Sequence, residues 1–190
     1  MAAPMNTKNV ELGYLEESES YLLRSRFFPS KFGGRPAWLS LKPLPSPEEL
    51  LCRVCSKQTT FLLQLSAPLE SDATFHRTFF VFVCTDPKCC SPNVCDNIHV
   101  FRSQLGRKND FYPFEPPKER RVPDAEEIDA SNYNTICRVC GCLGSKTCSS
   151  CLKVNYCSIE HQKIDWKKYH RQQCSTDKQT NGKRNYRVVD

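Results

Sequence analysis

No run of 18 apolar residues occurs anywhere in this 190-residue chain, so no segment of it reads as a membrane span. Its opening, Met1-Ala2-Ala3-Pro4-Met5-Asn6-Thr7-Lys8, lacks the apolar stretch of an export signal, and a reducing setting is expected. Glycine is scarce, at 7 residues, and none of them builds a phosphate loop. HExxH and GxSxG are also missing, which removes the motifs of zinc proteases and serine hydrolases. Proline stops at Pro123. Apolar material is not lacking, at 39% of residues with 11% aromatic, and that is too much for a disordered chain.

Against these absences stand 13 cysteines. Without an export signal the thiols stay reduced, and such an excess points to metal binding in place of disulfides. The odd count fits full pairing poorly. The formal charge of +6 is unevenly spread. Residues 136–190 hold 11 Lys and Arg against 4 Asp and Glu, while 1–135 are nearly balanced at 16 against 17. The predicted organisation is a β-rich N-terminal domain over 1–122, a linker at 123–135, a metal-stapled finger at 136–174 and a disordered basic tail at 175–190. The fold class is α+β.

In the first region, Gly33-Gly34 and Pro36 turn the chain between Phe27-Phe28 and Trp38-Leu39, whose side chains are expected in the core. Short apolar runs at 61–65, 78–83 and 98–101 read as strands. Residues 107–121 interleave Arg107, Lys108, Lys118, Arg120 and Arg121 with Phe111, Tyr112 and Phe114. Pro113, Pro116 and Pro117 forbid regular structure there. That segment reads as a strap whose rings plug the domain surface; base stacking on those rings is the rival reading. Near the C-terminus, Ser158 N-caps a short helix with Glu160 and Asp165 early and Lys167, Lys168 and Arg171 late.

Two constellations carry chemistry. Cys137, Cys140, Cys148, Cys151, Cys157, His161, His170 and Cys174 place eight donors within 38 residues, enough for two tetrahedral sites. Cys-x2-Cys pairs grip an ion from a tight turn, and His170 and Cys174, four apart on a helix, share one face. So small a region cannot bury enough apolar surface, and metal ions replace its core. Upstream, Cys52 and Cys55 precede Cys84 and Cys89 by a strand pair, the logic of a zinc ribbon. Cys90 and Cys95 compete with Cys89 for the fourth place. Cys142 reads as a spare thiol. Filled structural sites leave no open coordination position, so Cys157 and His161 serve better as ligands than as nucleophile and base, and no enzyme is expected.

The segment through Tyr156-Cys157-Ser158, Gln162 and Trp166 resembles a MYND zinc finger. The resemblance implies two interleaved sites: Cys137, Cys140, Cys157 and His161 for one Zn²⁺, and Cys148, Cys151, His170 and Cys174 for the other. The family usually has Cys at the place of His161. It also implies a groove for proline-containing peptides or co-regulators beside the helix, with Gln162 and Trp166 as candidate lining.

Gly33-Gly34-Arg35-Pro36-Ala37-Trp38-Leu39, Ala67-Pro68-Leu69, His76-Arg77, Phe101-Arg102-Ser103-Gln104-Leu105 and Arg107-Lys108-Asn109-Asp110-Phe111-Tyr112 resemble the programmed cell death protein 2 family. Nothing after the finger resembles that family's C-terminal half, so a truncated product or short splice form is expected. The resemblance implies a chaperone that escorts a basic, S5-family small-subunit ribosomal protein into ribosome biogenesis. It also implies links to proliferation and apoptosis, in cytoplasm and nucleus. The alternative it carries is a nuclear DNA-binding or transcriptional co-regulator. Three Zn²⁺ are expected, two in the finger and one in the ribbon, in a monomer with no membrane role. Counting thiolates and ions, the finger region keeps about +5 and the first region falls to about −3.

Overall fold

The computed structural model describes residues 12–119 and 128–174. The expected basic tail, residues 123–127 of the expected linker and the ends 1–11 and 120–122 of the first region lie outside them. Four antiparallel strands form the main sheet in the order β1 (Lys31–Phe32), β2 (Thr60–Ser66), β3 (His76–Val83) and β4 (Ile98–Leu105). The three strands expected from apolar runs are β2, β3 and β4. β1 is too short to leave a periodic trace. A second, two-stranded sheet pairs β5 (Lys146–Thr147) with β6 (Asn155–Tyr156), ahead of helix α1 (Ile159–Asp165) and a π-helical turn at Trp166–His170. Among the described residues no helix is long and apolar enough to cross a membrane.

Alternation along the strands sets the core. Gln64, Phe80 and Phe101 are cross-strand partners on one face, as are Phe82 and His99. Phe80 and Phe82 are buried completely, each contributing on the order of 2 kcal/mol. Against them lies the 38–50 segment, with Trp38, Leu39, Leu41 and Leu50 buried. Trp38 sits 4.8 Å from Phe80, ring centre to ring centre. The buried amide of Gln64 ties that segment down. Its Oε1 accepts from the Ala37 N–H at 2.8 Å, and its Nε2 donates to the Pro29 carbonyl at 2.9 Å. A polar group so deep is tolerated because both its ends are satisfied.

The strap folds largely inward. Tyr112 is buried and donates to the Leu39 carbonyl at 2.8 Å; Phe111 packs on Tyr133. Phe114 alone of its three rings stays mostly exposed.

Residues 128–143 belong to the same core. Ala130 and Cys142 are buried in it, with Ile128, Ile136, Cys140 and Leu143 packed against them. Cys142, expected as a spare thiol, acts as a small apolar side chain. The Trp38 indole N–H donates to the Gly141 carbonyl at 2.8 Å, and the Arg35 guanidinium donates to the Arg138 carbonyl. The first finger knuckle is therefore docked on the N-terminal domain. Gly141 is fixed by this contact, since its φ is +72° and an added Cβ would stand 3.0 Å from the Arg35 Cβ.

Gly141→Ala is expected to destabilise the chain by about 1–2 kcal/mol, through left-handed strain and the crowded arginine. A thermal melt reads it; a melting temperature equal to wild type would mean the knuckle is not docked as described. Gln64→Leu is expected to cost about 1–3 kcal/mol, because it strands the Ala37 N–H and the Pro29 carbonyl.

Candidate metal centres

Three groups of four donors are drawn together, and within each all ligand atoms lie within 4.8 Å of one another. The first joins Cys52, Cys55, Cys84 and Cys89. The Cys52–Cys55 knuckle closes when the Ser56 N–H reaches the Cys52 carbonyl at 2.8 Å, with Ser56 at φ +56°. Cys84 leaves the end of β3. Cys89 ends a 3₁₀ turn, Pro87–Cys89, capped by the Asp86 carboxylate, which accepts from the Lys88 N–H at 3.1 Å. That cap turns Cys89 inward, while Cys90 and Cys95 are exposed and outside the cluster. Sequence spacing left all three open.

The finger groups are Cys137, Cys140, Cys157 and His161, and Cys148, Cys151, His170 and Cys174. Their ligands alternate along the chain, so the sites interleave. Helix geometry explains how one helix serves both. His161 lies on α1 and His170 ends the π-helical turn that continues it, and the two rings enter different clusters. The Ser158 hydroxyl caps α1 by accepting from the His161 N–H at 3.2 Å, as the sequence predicts. Ile164 and Trp166 remain partly exposed, and the buried residues of this stretch are Asp165, His170 and Cys174. Donor atoms and not an apolar stripe seat the helix.

Distances fit a tetrahedral ion. Zn–S bonds near 2.3 Å and Zn–N bonds near 2.05 Å place neighbouring donors roughly 3.6–3.8 Å apart. Cys55 and Cys84 sulfurs are 3.7 Å apart, those of Cys140 and Cys157 3.6 Å, and Cys151 Sγ lies 3.5 Å from His170 Nε2. His161 offers Nδ1, which lies 3.7 Å from Cys137 Sγ, within that range, and 3.1 Å from Cys157 Sγ, shorter than it.

Charge points the same way. Backbone N–H groups of Cys55 and Val54 aimed at Cys52 bring its thiol down to about 7. Burial opposes ionisation of Cys148, but the N–H groups of Cys151 and Ser150 and the His170 ring outweigh it and bring that thiol to about 6. Cys137 is lowered as well, chiefly by the neighbouring Cys140 and Cys157. Ionised Cys137 pushes Cys140 and Cys157 up and raises His161 to about 10. Burial, then its sulfur neighbours, raises Cys89. Four donors that oppose one another's ionisation at such range call for a shared divalent cation.

One supporting network was not visible in the spacing. Tyr156, fully buried between the ligands, donates to Asp165 Oδ2 at 2.8 Å, and Arg138 Nε lies 3.4 Å from the same oxygen. The chain Tyr156–Asp165–Arg138 locks β6, α1 and the first knuckle together. Its one sequence trace is an acid four residues after His161, on the same helical face.

A sheet-borne four-cysteine ribbon joined to a finger of two interleaved sites defines a zinc-binding protein. Residues 9–119 match the family described as programmed cell death protein 2, N-terminal domain, and residues 137–174 match the MYND finger. The chain is 48% identical over 169 residues to programmed cell death protein 2 of Rattus norvegicus, covering 87% of this chain and 48% of that protein. Identity to the Bos taurus protein of that name is 48%, and to the Mus musculus protein 47%, over the same shares. This chain belongs to the programmed cell death protein 2 family. It spans about half the length of the curated relatives it matches. No solved structure matches it.

Native mass spectrometry of zinc-loaded protein is expected to find three ions. Cys89→Ser should lower that number by one, and Cys90→Ser should leave it unchanged; the reverse would reassign the ribbon's fourth ligand. Chelation should melt the finger and weaken the N-terminal core docked on it. Acid should do the same. Thiols depressed to about 7 at Cys52 and about 6 at Cys148 stabilise the fold above the unfolded thiol value, and that stabilisation is lost as pH falls through those values. Bound metal moves the loss to lower pH, and release of zinc to a chromophoric chelator tracks it.

Proposed function

We propose that this chain is a non-enzymatic adaptor and chaperone, whose N-terminal domain shields a basic, S5-family small-subunit ribosomal protein during ribosome biogenesis. The observation that carries the reading is the charge split within a chain of the programmed cell death protein 2 family. Counted with its thiolates and one Zn²⁺, the stretch 1–135, which includes the acids Asp124, Glu126, Glu127 and Asp129, carries about −3, which suits a basic client, while residues 136–190 stay near +5. Cytoplasm and nucleus are the places such an escort works, and links to proliferation and apoptosis would follow from ribosome supply. All three clusters have four donors each, so a filled site keeps no open position for substrate.

The finger serves a second partner. Gln162 and Trp166 stand four apart on one helical face, with Trp166 partly exposed and Tyr169 more so, and they suit a proline-containing segment of a co-regulator. The nucleic-acid alternative draws on the basic residues Lys163, Lys167, Lys168 and Arg171 of this stretch. The inward turn of Phe111 and Tyr112 weighs against it, since it leaves Phe114 as the strap's one mostly exposed ring.

The full zinc-loaded chain should bind purified S5-family protein, and Trp166→Ala should change that affinity by less than about twofold. Loss of client binding in the Trp166 variant alone would move the client to the finger. Binding to mixed-sequence duplex DNA should be weak at physiological salt. A slope near −0.9 per phosphate in log affinity against log salt, with tight binding, would favour the DNA reading.

A further inference from the structure

A groove of about 1240 Å³ opens between the β2–β3 connection, the turn at Arg26–Phe28 and the strap, with none of the twelve metal donors on its walls. It exceeds the roughly 300–1,000 Å³ of small-molecule pockets. Phe28, Leu69, Phe75 and Phe114 give it apolar sides.

Two half-buried arginines distinguish it. Arg107 stacks between rings, its guanidinium carbon 4.2 Å from the centre of Phe114 and 5.0 Å from that of Phe75. Arg77 lies 4.8 Å over Phe79. Both arginines line the groove, and the Nε of each is buried with no hydrogen-bond acceptor. Neither has a carboxylate within 4.0 Å among the described residues. The acids of the groove, Glu70, Asp72 and Glu115, sit exposed at its rim. Ring stacking holds a guanidinium in one plane, and a guanidinium so held takes a carboxylate with two parallel hydrogen bonds. Charges withdrawn from water are ordinarily paired, and no described residue supplies the counter-charge here.

We propose that this groove holds an extended acidic peptide of a partner protein, with carboxylates on Arg77 and Arg107 and apolar side chains against Phe28, Leu69 and Phe75. A peptide spaces its charges and can meet two arginines while passing the rim acids. A nucleic-acid backbone carries a charge at every nucleotide and would meet Glu70, Asp72 and Glu115 as well. The inference stands apart from the basic client, whose attraction is to the net negative charge of residues 1–135 as a whole.

The test selects random ten-residue peptides displayed on phage against the full zinc-loaded chain, with counter-selection on the Arg77→Gln/Arg107→Gln double variant. Surviving peptides are expected to carry Asp or Glu interleaved with apolar residues. As free labelled peptides they should bind the double variant at least tenfold more weakly, and bind Arg102→Gln, changed at an exposed strand position, as they bind wild type. Survivors rich in Lys or Arg, no survivors after counter-selection, or displacement by mixed-sequence single-stranded RNA would each overturn the proposal. Should the double variant lose zinc or its cooperative melt, Arg107→Lys replaces it in both steps. That change keeps charge and stem but removes the fork, and a loss of at least threefold is expected; unchanged binding would overturn the proposal.

Discussion

Repulsion among sulfur donors is the constraint on which this molecule turns. Each cluster draws four groups within 4.8 Å, and ionising one of them raises the cost of ionising the next. A divalent ion reverses the sign of that interaction, from mutual opposition to shared attraction. Structural zinc supplies on the order of 10–16 kcal/mol of apparent binding energy, comparable with the whole stability of a small domain. The finger has nothing else of that size. Its buried cluster consists of the ligands Cys137, Cys148, Cys151, Cys157 and Cys174 together with Tyr156, all of it organised around donor atoms.

The N-terminal domain is different in kind. Phe80, Phe82, Trp38 and Leu39 form an apolar core that the sheet would bury with or without metal, and the ribbon cluster closes one end of β3. Yet the two regions are not independent. Cys142, Ile136 and Leu143 of the finger's entry knuckle pack on that core, and the Trp38 indole reaches the Gly141 carbonyl. Because Gly141 lies one residue from the ligand Cys140, metal binding in the finger and packing in the sheet domain act on the same few backbone groups. A chain of polar contacts, Tyr156 to Asp165 to Arg138, continues from there into the helix. The sheet domain and the helix therefore belong to one mechanical frame.

Much of the site was legible in the spacing of its residues. Cys-x2-Cys pairs and His170-x3-Cys174 specify ligands because local backbone geometry alone brings those donors together. The helix cap at Ser158 was legible for the same reason, since a side chain there needs only its own next turn. Cys89 was not separable from Cys90 and Cys95, because the choice depends on a 3₁₀ turn whose cap, Asp86, lies three residues upstream. Cys142 stays outside the donor clusters, as expected of a spare thiol, but its packing was not legible, because it comes from a surface far away along the chain, around Trp38.

Residue type and short-range spacing were enough to single out eleven of the twelve clustered donors and the three longer strands, and longer motifs were enough for the family. The docking of the finger on the sheet domain needed the folded chain. So did the meeting of Arg77 and Arg107 in one groove, and the burial of Gln64 against the 29–37 turn. Such contacts join residues far apart along the chain through side-chain shape and hydrogen-bond reach, and neither leaves a period or a spacing for a reader of the sequence to find.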